Sequence, residues 1–376
     1  MKAVVLKQPG TVPILSYVDI PEPSIKSDEL LIKVLSAGFC RHDFLVMNGT
    51  LRRGIPSDPI LGHEICGEII EKGEEVENLN IGDRIVTLLT QSCGTCEQCQ
   101  SDNEHRCENG IGIGHGSQGG FAEFLAVKQN SAILIPEFVS SDIACLLTCP
   151  IGVGIQALTD ITNIKPGSSV AITGASGGLG IHVAQIAKAM GCSTFGITSS
   201  EGKISSLMEL GLDEVILSSD DLEFSEIIQA MTADIGVDVV IDCVGSKYFS
   251  SCINSLASNG KLILLGELGN AKAQVNLAEI LFRDLTIKGS TGARRKRGEV
   301  VTSFERAQVL LFTARDSFNG NVFENRENFV VARRDLLGSV IPHSTWNLYF
   351  EKTDCKIGIG TVMLRLDEDH RICQKS

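Results

Sequence analysis

Apolar and polar positions change their rhythm along the chain near residue 150. Before that point, short apolar runs such as KAVVL, ELLIKVLSAG, ICGEIIEKG and DRIVTLL are separated by prolines and glycines, which is typical of β-strands joined by turns. After it, strand-like runs such as SSVAIT and STFGIT alternate with segments of helical apolar spacing such as IHVAQIAKAM and GKISSLMELG. Further strands are predicted at EVILS, VDVVIDCVG, GKLILLG and LTIKGS. The pattern predicts an α/β protein, in which a β-rich part precedes a parallel sheet with helices on both faces.

The pattern also predicts the domain boundaries. Residues 1–150 form the β-rich part, residues 151–293 contain the strand–helix alternation, and residues 294–376 form a C-terminal part in which the alternation weakens. In this last part we predict a helix at EVVTSFERAQVLLFTA and a strand at IGTVMLRL. The basic run ARRKR, just before that helix, is predicted to be a solvated turn, and the alternative is a role in docking a phosphate-bearing substrate.

The composition narrows the classes of molecule that the protein is expected to bind. The 376 residues carry a formal net charge of -13, which repels phosphate backbones and anionic lipid. The first residues have no signal-peptide pattern, and no apolar run approaches the roughly 20 residues of a membrane span. We therefore expect a cytoplasmic protein that acts on a small molecule and binds neither nucleic acid nor membrane. In that compartment the thirteen cysteines should be reduced thiols.

Four of these cysteines lie within the fifteen residues 93–107. Their spacing is Cys-x2-Cys-x2-Cys-x7-Cys, formed by Cys93, Cys96, Cys99 and Cys107. Four thiolates so close in sequence can surround one tetrahedral zinc ion, and the polar residues between them have no apolar pattern that would order the loop otherwise. We predict a structural zinc. The alternatives are four unrelated thiols, or a site in which His105 replaces one thiolate.

A glycine-rich turn, TGASGGLG at residues 173–180, joins a predicted strand to a predicted helix. In this context the turn is typical of dinucleotide binding, because glycine lets the backbone approach a pyrophosphate at the free N–H groups of the helix start. The cofactor-binding candidates in the turn are Gly174, Gly177, Gly178, Leu179 and Gly180.

The end of the next predicted strand discriminates between nicotinamide cofactors. A carboxylate there would bind the ribose 2′-hydroxyl and repel a 2′-phosphate. This chain has Thr198, Ser199 and Ser200, with Lys203 close by, so hydroxyls and a cation replace the carboxylate. We predict a preference for NADP(H). The alternative is NAD(H), selected by Glu201.

Several motifs together resemble a known family. GFCRHD, LGHEICGEI, IGDRIV, the four-cysteine segment, GSQGGFAEF and TGASGGLG occur in the order found in zinc-containing alcohol dehydrogenases of the medium-chain dehydrogenase/reductase superfamily. The resemblance extends from residue 1 to about residue 290 and implies a GroES-like catalytic domain plus a Rossmann domain. In the C-terminal part only YFEKTDCKIGIGTVML is similar, and Thr361 stands where the family often has a cofactor-binding arginine.

The resemblance implies a second, catalytic zinc, which spacing alone would not suggest. Its ligands would be Cys40, His63 and Cys149, with Glu64 beside them as a supporting or transient ligand. Asp43 would orient one of these ligands from outside the metal's own shell. A Cys₂His site with an open fourth position is the catalytic zinc arrangement of alcohol dehydrogenase. We therefore expect two zinc ions per chain.

Arg41 and His42, which directly follow Cys40, bear on the predicted reaction. Arg41 lies where the family often contacts the cofactor's phosphates, and His42 replaces the family's hydroxyl that relays the alcohol proton. An imidazole can also relay protons, so we predict a zinc-dependent oxidoreductase that transfers a hydride between a nicotinamide cofactor and an alcohol/carbonyl substrate. The alternative is an NADPH-dependent enoyl-CoA reductase, because GTCEQCQ, TGASGGLGIH and ITSSEGK are also similar to the acryloyl-CoA reductase branch.

A protein that binds zinc and nucleotide without catalysis is the alternative from another functional class. The family resemblance implies a homodimer or a homotetramer.

Overall fold

A computed structural model describes residues 1–219, 223–268, 272–294, 296–303, 305–307 and 363–364. Two compact units divide the chain. Among these residues, the first unit contains those within Met1–Cys149 and Gly292–Thr302 together with Met363–Leu364, and the second contains those within Pro150–Thr291 together with residues 303 and 305–307. The first unit is therefore built from segments that precede and follow Pro150–Thr291 in the sequence.

The first unit is rich in short strands. These strands are β1 (Lys2–Gln8), β2 (Ile14–Asp19), β3 (Glu29–Gly38), β4 (Glu64–Lys72), β5 (Arg84–Thr87), β6 (Thr90–Gln91), β7 (Ile111–Gly112), β8 (Phe124–Lys128) and β9 (Ala132–Leu134). Its short helices are α1 (Arg41–Met47), α2 (Glu97–Gln100) and α3 (Ser141–Ala144).

The main sheet of the first unit is antiparallel. β3 pairs with β4, with β8 and with a short strand at Met363–Leu364, and β4 continues through β5 to β9. β1 and β2 form a separate antiparallel pair. The fully buried Leu30 and Ile32 of β3 pack with Ile65 and Ile69 of β4 in the core of this sheet. The sheet holds the beginning of β4 beside the end of β3, where the candidate metal ligands lie.

The second unit alternates strands and helices. The strands are β10 (Ser169–Thr173), β11 (Ser193–Thr198), β12 (Glu214–Leu217), β13 (Val237–Asp242), β14 (Leu256–Leu264) and β15 (Thr286–Gly289). The helices are α4 (Gly152–Gln156), α5 (Gly178–Ala189), α6 (Ile204–Glu209), α7 (Phe224–Met231), α8 (Phe249–Ser255) and α9 (Leu277–Phe282).

The six strands of the second unit form one parallel sheet in the order β12-β11-β10-β13-β14-β15. The order reverses direction between β10 and β13, as in doubly wound nucleotide-binding folds. Successive residues Val170, Ala171 and Ile172 of β10 are all fully buried, which is typical of a strand covered on both faces. The predicted α/β fold class is confirmed.

The structure describes only parts of the two elements predicted for the C-terminal part. Residues 297–303 and 305–307 are helical and lie within or just before the predicted helix, and Met363–Leu364 lies within the predicted strand. Thr361 and the rest of both predicted elements lie outside the described residues.

The prediction that ARRKR is a solvated turn is wrong for Arg297. Its guanidinium donates hydrogen bonds of 2.6 Å to the carbonyls of Asn130 and of Ala132, and its backbone N–H donates to Glu104. Arg297 therefore attaches the returning segment to the rest of the first unit. In the part of the chain that the structure describes, no helix is long and apolar enough to cross a membrane.

Candidate active site and metal centres

Four side chains predicted for the catalytic zinc come together in the first unit. Cys40, His63, Glu64 and Cys149 each offer one ligand atom, and these atoms all lie within 4.8 Å of one another. The Sγ atom of Cys149 lies 3.8 Å from Nε2 of His63. The donor set contains two sulfurs, one imidazole nitrogen and one carboxylate oxygen, all of which are zinc ligands.

Each candidate ligand lies in or beside a short local element. Cys40 is the N-cap of α1, and His63 comes directly before β4, whose first residue is Glu64. Cys149 lies in a single π-helical turn, Leu147–Ile151, that contains Pro150. Proline removes a backbone donor, and π-helical turns frequently occur at functional sites. The irregular turn positions the thiol of Cys149 among residues that lie far from it in sequence.

Asp43 connects two of these elements. Its carboxylate is fully buried and accepts hydrogen bonds from the backbone N–H of Cys40 at 2.8 Å and from that of Gly62 at 3.2 Å. The same carboxylate lies 3.4 Å from Nδ1 of His63. A carboxylate behind a ligating histidine fixes the ring and makes its other nitrogen more basic. Asp43 therefore lies where it can orient His63, with Nε2 towards Cys149.

Glycine at position 38 makes room for the acidic member of the cluster. A Cβ atom at Gly38 would overlap with Oε2 of Glu64. That oxygen is buried and has no hydrogen-bond partner, and the whole of Glu64 is only 2% exposed. An uncompensated buried carboxylate is strongly unfavourable, so Glu64 must either be protonated or be paired with a cation.

The pKa values in the cluster point the same way. Burial raises the pKa of Glu64 to about 8, and the neighbouring Cys40 contributes to this rise. Burial lowers the pKa of His63, but Asp43 and Cys40 outweigh it and raise that pKa well above its usual range. Two thiols, an imidazole and a carboxyl group, of which His63 and Glu64 are buried, are donor types that fit a divalent cation such as zinc.

His42 and His115 lie next to this cluster. The ring of His42 is 5.2 Å from that of His63 and 5.1 Å from that of His115, centroid to centroid. Burial lowers the pKa of His42, and His63 lowers it further. No sequence pattern indicated His115, an isolated histidine in a glycine-rich segment. Arg41 lies in the first turn of α1, with its guanidinium 4.5 Å from the ring centroid of Phe44.

The four-cysteine segment forms a separate cluster. The sulfur atoms of Cys93, Cys96, Cys99 and Cys107 lie within 4.8 Å of one another, and all four cysteines are free thiols. The sulfur–sulfur distances are 3.5 Å for Cys96–Cys99 and 3.9 Å for Cys93–Cys99 and for Cys96–Cys107. A tetrahedron with zinc–sulfur bonds of about 2.3 Å has edges of about 3.8 Å. The spacing fits a zinc ion. His105 is not a member of the cluster.

The glycine turn of the second unit requires its glycines. Gly174 has φ +60°, a conformation that favours glycine, and a Cβ atom at Gly180 would overlap with the carbonyl oxygen of Gly174. Gly177 is the N-cap of α5, which begins at Gly178 and continues through Leu179. The turn therefore brings bare backbone to the start of a twelve-residue helix, as binding of a pyrophosphate requires.

The residues predicted to bind the adenosine ribose follow β11. The hydroxyl of Thr198 is 2.9 Å from that of Ser176 and accepts the N–H of Ser200 at 3.2 Å, so it stabilises the turn itself. Ser199 is exposed. Lys203 is only 3% exposed, and burial lowers its pKa. Its ammonium forms no ion pair with any described acidic side chain, which leaves it available to an anionic ligand.

Sequence reasoning missed a cavity at the carboxyl ends of β13, β14 and β15. Its volume is about 610 Å³. Glu267 spans two strand ends there, because it accepts hydrogen bonds from the N–H of Ser246 at 2.9 Å and from its hydroxyl at 3.0 Å. Both residues directly follow predicted strands, and ligands of doubly wound sheets bind beyond such strand ends. Their position directly after predicted strands is the sequence feature from which this cavity could have been predicted.

Comparison with known proteins agrees with this geometry. The family model for the GroES-like domain of alcohol dehydrogenases matches residues 26–137, and that for zinc-binding dehydrogenases matches residues 178–307. Acryloyl-coenzyme A reductase of Metallosphaera sedula is 36% identical over 300 residues, which cover 80% of this chain and 87% of that protein. Sorbitol dehydrogenase of Halalkalibacterium halodurans is 30% identical over 294 residues, 77% of this chain and 84% of the relative.

A solved structure extends the comparison. A zinc-binding dehydrogenase from Sinorhizobium meliloti 1021, bound to NADP, matches with a TM-score of 0.67 and 30% identity, covering 81% of this chain and 89% of that one. Both domains, the relatives and the fold agree with the family that the sequence motifs indicated. The chain therefore belongs to the zinc-containing alcohol dehydrogenase family of the medium-chain dehydrogenase/reductase superfamily, and it is an oxidoreductase that transfers hydride with a nicotinamide cofactor.

Proposed function

We propose that this oxidoreductase reduces an α,β-unsaturated acyl thioester, with NADPH as the hydride donor. The observation that carries the choice of substrate is His42, whose imidazole stands beside the metal cluster in place of the hydroxyl that relays an alcohol proton in this family. Reduction of an enoyl thioester forms no alkoxide and needs no such relay. The 36% identity to acryloyl-coenzyme A reductase of Metallosphaera sedula supports the same substrate class.

The net reaction adds a hydride at the β-carbon and a proton at the α-carbon of the substrate. It yields a saturated thioester and oxidised nicotinamide. When bound, zinc supplies a Lewis acid that polarises a carbonyl, and the reduced nicotinamide supplies the hydride. In our proposal Cys40, His63 and Cys149 hold the catalytic zinc, and Glu64 is the residue that can enter or leave its coordination.

The protein's own residues prepare this site. Asp43 keeps His63 in one orientation through the contacts described above, and Gly38 admits the carboxylate of Glu64. Because Glu64 is buried, water has little access to the metal's acidic neighbour. We propose that the second zinc, held by the four clustered cysteines, is structural, since four thiolates leave no open position for a substrate.

We also propose that NADP(H) is preferred over NAD(H). Beyond β11 the chain presents Ser199, Ser200 and the ammonium of the largely buried Lys203, which pairs with no described acid. A 2′-phosphate can accept hydrogen bonds from all three, whereas a 2′-hydroxyl gains little from a cation. Glu201, the residue that would favour NAD(H), is exposed.

Interconversion of alcohols and carbonyl compounds is the second candidate function. It is favoured by the donor set of two thiols and one histidine, which is the ligand set of alcohol dehydrogenase. In this case His42 would relay the alcohol proton. The 30% identity to sorbitol dehydrogenase supports this candidate.

A substrate comparison separates the two functions. Purified zinc-loaded protein is assayed by the absorbance of the reduced nicotinamide with acryloyl-CoA and with a panel of aldehydes, ketones and alcohols, using each cofactor in turn. We expect the highest kcat/KM for acryloyl-CoA with NADPH. A higher kcat/KM for an alcohol or a carbonyl compound would establish the second candidate, and a higher value with NADH would refute the NADP(H) preference.

A further inference from the structure

Two adjacent arginines stand out on the loop between α1 and β4. Arg52 and Arg53 are both exposed, whereas their neighbours Leu51 and Ile55 are half-buried and pack against the core of the first unit. The loop is thus anchored on either side of the arginines. Their side chains are presented to solvent from a fixed piece of backbone.

Further contacts place this loop beside the metal cluster. The carbonyl oxygen of Arg53 lies 2.9 Å from Nε2 of His115. The ring of His115 contacts that of His42, which in turn lies against His63. The backbone of Arg53 is therefore separated from His63, a proposed metal ligand, by only the rings of His115 and His42.

The guanidinium of Arg52 is also held in place. Its Nε donates a hydrogen bond of 2.5 Å to the carbonyl of Gly49, which leaves its terminal nitrogens to bind another acceptor. A guanidinium whose base is already fixed loses less freedom when it binds a ligand.

Neither arginine is neutralised by a nearby acid. The acidic side chains close in sequence are committed elsewhere, since Asp43 faces His63 and Asp58 pairs with Lys7 at 2.7 Å. Among the described residues, neither Arg52 nor Arg53 forms an ion pair. The chain as a whole has a net charge of -13, so these two unpaired arginines are a local positive region beside the reaction site.

We propose that Arg52 and Arg53 bind the phosphate groups of coenzyme A when its acyl thioester lies at the metal cluster. The inference rests on the proposed function as a thioester reductase. Coenzyme A carries a diphosphate and a 3′-phosphate at the far end of its pantetheine arm, so these charges must lie outside the reaction site. An acidic protein repels them unless a basic region receives them, and guanidinium groups bind phosphates in bidentate geometry.

The test compares a full substrate with a truncated one. Acryloyl-CoA and S-acryloyl-N-acetylcysteamine share the reacting group, but only the first carries phosphates. In the Arg52→Gln/Arg53→Gln variant we expect kcat/KM for acryloyl-CoA to fall at least about tenfold, mainly through KM, and that for the truncated thioester to stay within about twofold. The Lys26→Gln/Lys33→Gln variant removes two other exposed cations of the same unit and should change neither value.

Calorimetry with free coenzyme A tests the inference without turnover. Wild type should bind it, and the Arg52→Gln/Arg53→Gln variant should bind it at least about tenfold more weakly at an unchanged melting temperature. Equal coenzyme A affinity in the two proteins, or equal losses with both thioesters, would overturn the role of the arginines. Wild type that reduces neither thioester would instead refute the proposed function, whatever the binding result.

Discussion

The Asp43→Asn variant removes one negative charge from the metal site while preserving the size of the side chain. In the native protein one carboxylate oxygen accepts the N–H of Cys40, and the other accepts the N–H of Gly62 and lies 3.4 Å from His63 Nδ1. Asparagine offers one oxygen and one NH₂ group. One of the two backbone donors must therefore face another donor inside a fully buried site.

Two independent magnitudes predict the size of the effect. A buried donor that loses its acceptor costs about 1–3 kcal/mol. Loss of the group that supports a metal ligand typically weakens metal binding by about 10- to 100-fold. The first cost lowers the free energy of unfolding, whereas the second, about 2.7 kcal/mol for a 100-fold loss, lowers zinc affinity. We expect zinc binding at the catalytic site to weaken within this range.

The assay is competition with a chromophoric chelator, combined with elemental analysis and thermal unfolding of the metal-free protein. Asp28→Asn is the matched control, because Asp28 accepts a hydrogen bond of 2.6 Å from Lys128 at a partly exposed site and should leave zinc affinity unchanged. Zinc affinity of Asp43→Asn within about twofold of wild type would refute the argument that Asp43 supports His63.

Three further substitutions test the remaining assignments. Cys96→Ser should leave one zinc per chain and lower the melting temperature, because zinc at a four-thiolate site contributes folding free energy; elemental analysis that still finds two ions would contradict it. Lys203→Gln should weaken NADPH binding about tenfold or more and leave NADH binding unchanged, because only NADPH carries the 2′-phosphate. In fluorescence titrations, equal losses for both cofactors would rule out this role. His42→Ala should slow any alcohol oxidation about 10²-fold but affect enoyl thioester reduction only modestly. A loss of that size in steady-state reduction of acryloyl-CoA would show that our account of His42 is wrong.

The parallel sheet could be predicted because its signal is local. Each strand is a short apolar run followed by a turn, as at β10 and at β11, and burial on both faces makes the run continuous. The first and last residues of the strands were harder to predict from the sequence. β14 begins at Leu256, four residues before the predicted run, because its pairing with β13 contains an irregular register near Val237 and Val239.

The candidate site was only partly accessible from sequence. The four-cysteine cluster follows from spacing, since its members lie within one loop. By contrast, Cys149 joins Cys40 and His63 through the fold alone, so only family resemblance could connect them before the structure was known. His115 was also inaccessible to sequence patterns, because its partner Arg53 is distant in sequence. No local pattern records a contact that depends on chain folding.

The discontinuous first unit has a consequence for biosynthesis. Met363–Leu364 pairs with Ala37 and Gly38 at the end of β3, shortly before Cys40. A ribosome makes the whole of the second unit before it reaches these closing residues. During translation this edge of β3 is therefore unpaired with its native partner, and unpaired strand edges are prone to aggregation. The first unit therefore lacks part of its main sheet until Met363–Leu364 is made, and a chain stopped before residue 363 would lack the strand that pairs with the end of β3.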